Sequence, residues 1–116
     1  MCGSKISVLS GDDALTFPIM AVGGKGVISV TANIVPSSMT EMVKACLDGE
    51  WKHARNLHLN LFSLFKAMFF ETNPIPVKTA LAMMGKIEEE FRSPLCQISS
   101  ENREKLADVL KKYRII

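Results

Sequence analysis

Gly23-Gly24-Lys25-Gly26-Val27-Ile28-Ser29-Val30-Thr31-Ala32-Asn33 is the stretch whose reading decides the fold. A glycine-rich approach leads into a short run of apolar, β-branched residues that closes on small polar ones, the composition of a buried strand. A smaller echo stands upstream at Ser7-Val8-Leu9-Ser10-Gly11-Asp12-Asp13. A helix-length segment separates the two, so the order is strand, helix, strand, the unit from which parallel sheets are built. Everything beyond it reads as helix, giving an α/β chain that is mostly helical by residue count.

Working outward from that stretch, Val27 to Val30 is a strand expected to be covered on both faces, because it carries no polar alternation. The earlier strand spans Lys5 to Ser10 and Gly11 ends it. Asp12 and Asp13 then read as capping or charging groups at a helix entrance, with a paired-carboxylate base as the sharper alternative. Thr16 is placed as N-cap with Pro18 in the first turn, where a missing N–H costs little. That helix stops at Val22, before Gly23 and Gly24 supply a left-handed cap. The Gly-Gly-Lys-Gly run is a poor phosphate loop, since it precedes a strand and does not follow one into a helix.

Downstream, Pro36 opens a helix in which Met39, Met42, Val43, Cys46 and Leu47 recur at helical spacing until Gly49. A longer helix runs from Glu50 to about Phe69, with Ala54, Leu57, Leu61, Leu64, Phe65 and Met68 on one stripe. Asn73-Pro74-Ile75-Pro76 breaks the chain and starts a helix over Val77 to Met84, closed by Gly85. Lys86 to Ile98 is an irregular connector. Ser99 caps a last helix whose buried face is Leu106, Val109, Leu110 and Tyr113.

Composition bounds the function. The chain has 116 residues, 47% of them hydrophobic, enough for one compact domain with a core. Fourteen basic and twelve acidic residues are scattered without a basic face, which argues against nucleic acid as a partner. The longest apolar run, Leu57 to Phe70, is interrupted by His58, Asn60 and Lys66 and falls short of the ~20 residues of a membrane span. No membrane association is expected, and the start of the chain has no secretory pattern, so a cytoplasmic location is the expectation. Cys2, Cys46 and Cys96 are odd in number and far apart, which suits neither a zinc site nor a disulfide framework. His53 and His58 lie about 140° apart around a helix and share no metal, one facing water and one the edge of the core. Lys25 and Lys78 are the amines to consider as nucleophiles if desolvated, though solvation is the ordinary state. The pairs Met83-Met84 and Phe69-Phe70 read as core or interface.

Leu9-Ser10-Gly11-Asp12-Asp13, then Gly24 to Asn33, then Asn73-Pro74-Ile75-Pro76-Val77-Lys78, in this order and spacing, resemble the C-terminal part of the dihydrodipicolinate synthases, a branch of the pyruvate-dependent class I aldolases. The resemblance runs from about Ile6 to the C-terminus. It implies a (β/α)8 barrel followed by a helical extension, with residues 1–48 as the last two strands and their helices and residues 49–116 as the extension. It also implies a Schiff-base condensation of pyruvate with aspartate semialdehyde in lysine biosynthesis, with no cofactor or metal. Two positions match the family's pyruvate pocket: Gly11, where the absent Cβ leaves room, and Ile28, whose backbone carbonyl faces the substrate.

A (β/α)8 barrel needs ~250 residues, so the chain supplies only its last part. The family's Schiff-base lysine, its proton-relaying tyrosine and its lysine-feedback site all fall upstream of Met1. Tyr113 does not match that tyrosine, which leaves no catalytic residue in this stretch. Three readings follow: a split synthase completed by an N-terminal barrel fragment, a non-enzymatic helical oligomerisation or interaction module, and a small anion-binding protein using the glycine run. Self-association is expected, because two strands without their neighbours expose an edge and apolar faces.

Overall fold

A computed structural model describes residues 5–116; Cys2 lies outside them. Two compact units divide the chain, Met1–Phe62 and Ser63–Ile116.

In the first unit the strands are β1 (Leu9–Ser10) and β2 (Gly26–Val27), paired in parallel with Leu9 opposite Gly26 and Ser10 opposite Val27. Flanking bonds extend the pairing, from Lys25 N to Val8 O at 2.8 Å and from Ile28 N to Ser10 O at 2.9 Å. The regular strands are shorter than the six- and four-residue runs that the sequence suggests. The cover expected of Val27 to Val30 is also missing: Ile28 is 71% exposed and Val27, Ser29 and Val30 are only half-buried. A strand is regular only where a neighbour completes its ladder, and among the described residues β1 and β2 pair only with each other.

A turn of 3-10 helix over Asp13–Leu15 leads into α1 (Thr16–Ala21). The capping differs from expectation. Asp12, and not Thr16, caps this entrance, its Oδ1 accepting from Ala14 N at 2.7 Å and Leu15 N at 3.2 Å, while Thr16 Oγ1 donates to Asp12 O at 3.1 Å. Helix α1 ends at Ala21, one residue short of the expected Val22, which is its C-cap, and Gly23 follows with a φ of 106°, the left-handed conformation that glycine adopts freely. A second 3-10 turn, Thr31–Asn33, precedes α2 (Pro36–Leu47), which starts on its proline and stops before Gly49. The core cluster here is Met20, Ala45, Cys46 and Ala54, with Phe17 and Val43 packed against it.

Helix α3 (Trp51–Ala67) carries most of the stripe the spacing predicts: Ala54, Leu61, Leu64, Phe65 and, just past its end, Met68 are buried, whereas Leu57 is only half-buried. His58 lies on that buried side, packed against the rings of Phe17 at 5.5 Å and Phe62 at 5.6 Å, and burial pushes its pKa down. His53 faces water and pairs with Glu41 at 2.9 Å.

In the second unit, α4 (Ile75–Met83) begins two residues earlier than expected, so Pro76 lies inside its first turn, where it displaces no helical bond. Gly85, with φ of 69°, ends it. The connector over 86–98 has no regular structure, and Ser99 caps α5 (Ser100–Lys112) by accepting from Asn102 N. Leu106 and Leu110 are fully buried, Val109 and Tyr113 partly so. Two carboxylates tie the connector and the α5 start. Glu71 Oε1 accepts from Ser99 N, Ser99 Oγ and Asn102 Nδ2 at 3.0, 2.7 and 2.9 Å. Glu89 accepts from Thr79 Oγ1 at 3.0 Å and from Arg103 Nη1 at 2.7 and 2.8 Å.

Candidate functional site at the strand ends

In parallel α/β folds, reactive groups gather where the strands end. Here β1 runs out into Gly11-Asp12-Asp13 and β2 into Ile28-Ser29-Val30. Continuing the register one step places Gly11 opposite Ile28, and the Ile28 N–H to Ser10 O bond holds them there. A Cβ built on Gly11 would meet no atom within 4 Å, so the space above it is open. The two residues that the sequence singles out are thus brought to one end of the sheet.

The loops around them are cross-tied. Ser10 Oγ donates to Asp12 O at 2.7 Å and accepts from Asp12 N at 3.1 Å, which curls the first loop back on its strand. Ser29 Oγ accepts from Ala32 N at 2.8 Å and shapes the second. Asp13 crosses between them. Its Oδ2 accepts from Val30 N at 3.2 Å, Thr31 N at 2.9 Å and Thr31 Oγ1 at 2.8 Å. Asp13 is 1% exposed and Thr31 fully buried. The pair Asp12-Asp13 is therefore not a paired-carboxylate base: one is an exposed cap and the other a buried brace. No signal in the sequence separates the two, because Asp13's partner lies 18 residues away.

The glycine run is explained by packing. Gly24 leaves room for Ile19, whose Cγ2 a Cβ would approach to 2.6 Å, and Gly26 sits in the ladder beside Leu9. Neither opens a helix, as a phosphate cradle would require.

Lys25 is exposed at the start of β2, the opposite end from Gly11 and Ile28. Lys78 donates from Nζ to the carbonyl of Glu90 and lies 5.1 Å over the ring of Phe91, so its amine anchors the connector. Cys46 is buried, which pushes its thiol pKa up, and Cys96 is exposed. Among the described residues no cluster of His, Cys, Asp or Glu could hold a metal ion, and no helix is long and apolar enough to cross a membrane.

Several cavities border this unit's surface. One of about 370 Å³ runs between β2 and α2, lined by Leu9, Val27, Met39 and Val43 among others. A larger one, about 530 Å³, lies at the turn from α2 to α3 beside Trp51 and His53 and includes neither Gly11 nor Ile28.

Comparison with known proteins converges on one family. The chain is 61% identical over all 116 residues to the 4-hydroxy-tetrahydrodipicolinate synthase of Thermodesulfovibrio yellowstonii, covering 40% of that protein. Its fold matches the crystal structure of dihydrodipicolinate synthase from Aquifex aeolicus with a TM-score of 0.96 at 55% identity, over 97% of this chain and 39% of that one. It also matches the pyruvate complex of the chloride-inhibited dihydrodipicolinate synthase from Acinetobacter baumannii, with a TM-score of 0.93 at 40% identity, over 97% of this chain and 38% of that one. The chain thus spans about 40% of the length of the curated relative it matches. With residues 1–113 matching its sequence pattern, the chain belongs to the dihydrodipicolinate synthetase family.

Proposed function

We propose that the chain supplies the last two strand–helix units of a (β/α)8 barrel, residues 1–48, and the C-terminal helical extension, residues 49–116, of a 4-hydroxy-tetrahydrodipicolinate synthase. In that enzyme pyruvate condenses through a lysine Schiff base with aspartate semialdehyde. This chain's part is the floor of the pyruvate pocket: Gly11 gives room for the substrate and the carbonyl of Ile28 faces it. The observation that carries the reading is the register that sets Gly11 opposite Ile28 beneath open space.

The 116 residues alone do not form the Schiff base. That step joins an amine nitrogen to the keto carbon of pyruvate and expels the carbonyl oxygen as water, so it needs a deprotonated amine beside the pocket floor. Lys25 stands at the wrong end of β2, and Lys78 is engaged with Glu90. Activity then requires the barrel strands that bear the lysine and tyrosine, from an N-terminal segment or a partner chain. A second reading, a non-enzymatic oligomerisation or interaction module, rests on the apolar exposure of Val8, Leu9 and Ile28.

Borohydride trapping of pyruvate followed by intact mass tests the proposal. No adduct on residues 1–116 alone, with an adduct once the N-terminal barrel portion is added, is the expected result. An adduct on the isolated chain would overturn the claim of incompleteness, and none under either condition would leave the interaction module.

A further inference from the structure

Asp13 is a buried carboxylate that the reading above leaves without a role. It is 1% exposed, yet it neither caps its own helix, which Asp12 does, nor pairs with a cation among the described residues. All its hydrogen bonding leaves through Oδ2 to Val30 and Thr31, and Oδ1 has no hydrogen-bond partner among the described residues. Burying a charge is costly, so its bonds must hold something that water-exposed groups could not hold as firmly.

What they hold is the spacing of the pocket floor. Gly11 lies two residues before Asp13, and Ile28 two before Val30. The Ile28 N–H to Ser10 O bond ties the strands just beneath Gly11 and Ile28, while Asp13 ties the loops just beyond them. Together the two ties close a ring around Gly11 and Ile28. The regular ladder is only two residues per strand, with one further bond on either side, so the outer tie through Asp13 adds a second hold on the loop that carries the Ile28 carbonyl.

We propose that Asp13, through Thr31, is a positioning residue for pyruvate. It holds the Ile28 carbonyl at a fixed distance from Gly11, and this rests on the reading of Gly11 and Ile28 as the pyruvate floor. Asp13 touches no substrate. Its effect falls on pyruvate and not on the second substrate, because the ring it closes contains only pyruvate-facing groups.

The test uses the N-terminal portion of the Thermodesulfovibrio yellowstonii synthase fused ahead of residues 1–116, with variants Asp13→Ala, Asp13→Asn and Thr31→Val. Asp13→Ala should raise the KM for pyruvate roughly tenfold and leave the KM for aspartate semialdehyde within about twofold. Asp13→Asn keeps an amide oxygen for the same N–H groups and should stay within about threefold for pyruvate, with Thr31→Val between the two. A merely structural role would lower the amount of active enzyme and move neither KM. An inactive unmodified fusion overturns the pyruvate-floor reading and this inference with it. An active fusion whose variants keep the parent KM for pyruvate overturns the inference alone. Should Asp13→Ala fail to fold, Thr31→Val decides by the same criterion.

Discussion

Glu89 is the anchor of the irregular connector, and removing it has a cost that can be worked from its partners. Glu89→Ala strips the acceptor from Thr79 Oγ1, a hydroxyl on a fully buried residue, which costs about 1–3 kcal/mol. It also removes an ion pair to Arg103 whose side chains are 18% and 43% exposed, worth at most about 1 kcal/mol at such a surface. The expected loss is therefore about 1–4 kcal/mol. Glu89→Gln keeps an oxygen for Thr79 and loses only the ion pair, so its cost stays below about 1 kcal/mol. With a slope of about 1 kcal/mol/M in urea, the midpoint should fall by roughly 1–4 M for the alanine variant and less than ~1 M for the glutamine. Acid provides a second check. Hydrogen bonding from Arg103, then from Thr79, holds the Glu89 carboxyl below its ordinary value of 4.5. A carboxylate lowered in the folded state contributes stability that is fully present above its unfolded pKa and lost as pH falls through the folded value. The gap between wild type and Glu89→Gln should therefore be full at neutral pH and shrink as pH drops below 4.5. Equal damage from alanine and glutamine, or a gap undiminished at about pH 3, would refute the assignment of Thr79 and Arg103 as the partners that matter.

Two glycines separate packing from function. Gly24→Ala drives a Cβ to 2.6 Å from Ile19 Cγ2 and 2.9 Å from its carbonyl oxygen, and should lower stability by about 1–3 kcal/mol in a thermal melt. Gly11→Ala meets nothing within 4 Å, so the melt should move by less than about 0.5 kcal/mol while pyruvate trapping in the completed barrel falls. Equal melting losses would remove the distinction. The homo-oligomer expected of the isolated chain rests on an open sheet edge with Ile6, Val8 and Ile28 each more than half exposed. Light scattering should report a species larger than one chain, and a monomer throughout the micromolar range would count against it.

The helices were legible because each carries its own periodicity and its own punctuation. Ala54, Leu61, Leu64, Phe65 and Met68 announce α3 through spacing alone, and Ser99 announces α5 through its cap chemistry. The strands were legible in kind and overestimated in length. Ile6, Val8 and Val27 to Val30 encode burial against neighbours, and a ladder extends only where those neighbours stand. At the site, Gly11 and Ile28 came from resemblance to a family, and spacing alone gave no sign that the register sets them opposite each other. Asp13 was hidden by Asp12. Adjacent aspartates before a helix look alike in a sequence, and only the long-range partner Thr31 shows which one is turned inward.

That bridge has a consequence for the order of assembly. Asp13 and Thr31 are 18 residues apart, so bringing them together costs a loop-closure entropy of only about 2.6 kcal/mol by the logarithmic rule. Contacts this local form early and quickly compared with pairings across a whole barrel. The tie between the two strand ends is then a kinetic seed. It can close on local contacts alone, and it sets the register of β1 against β2 early.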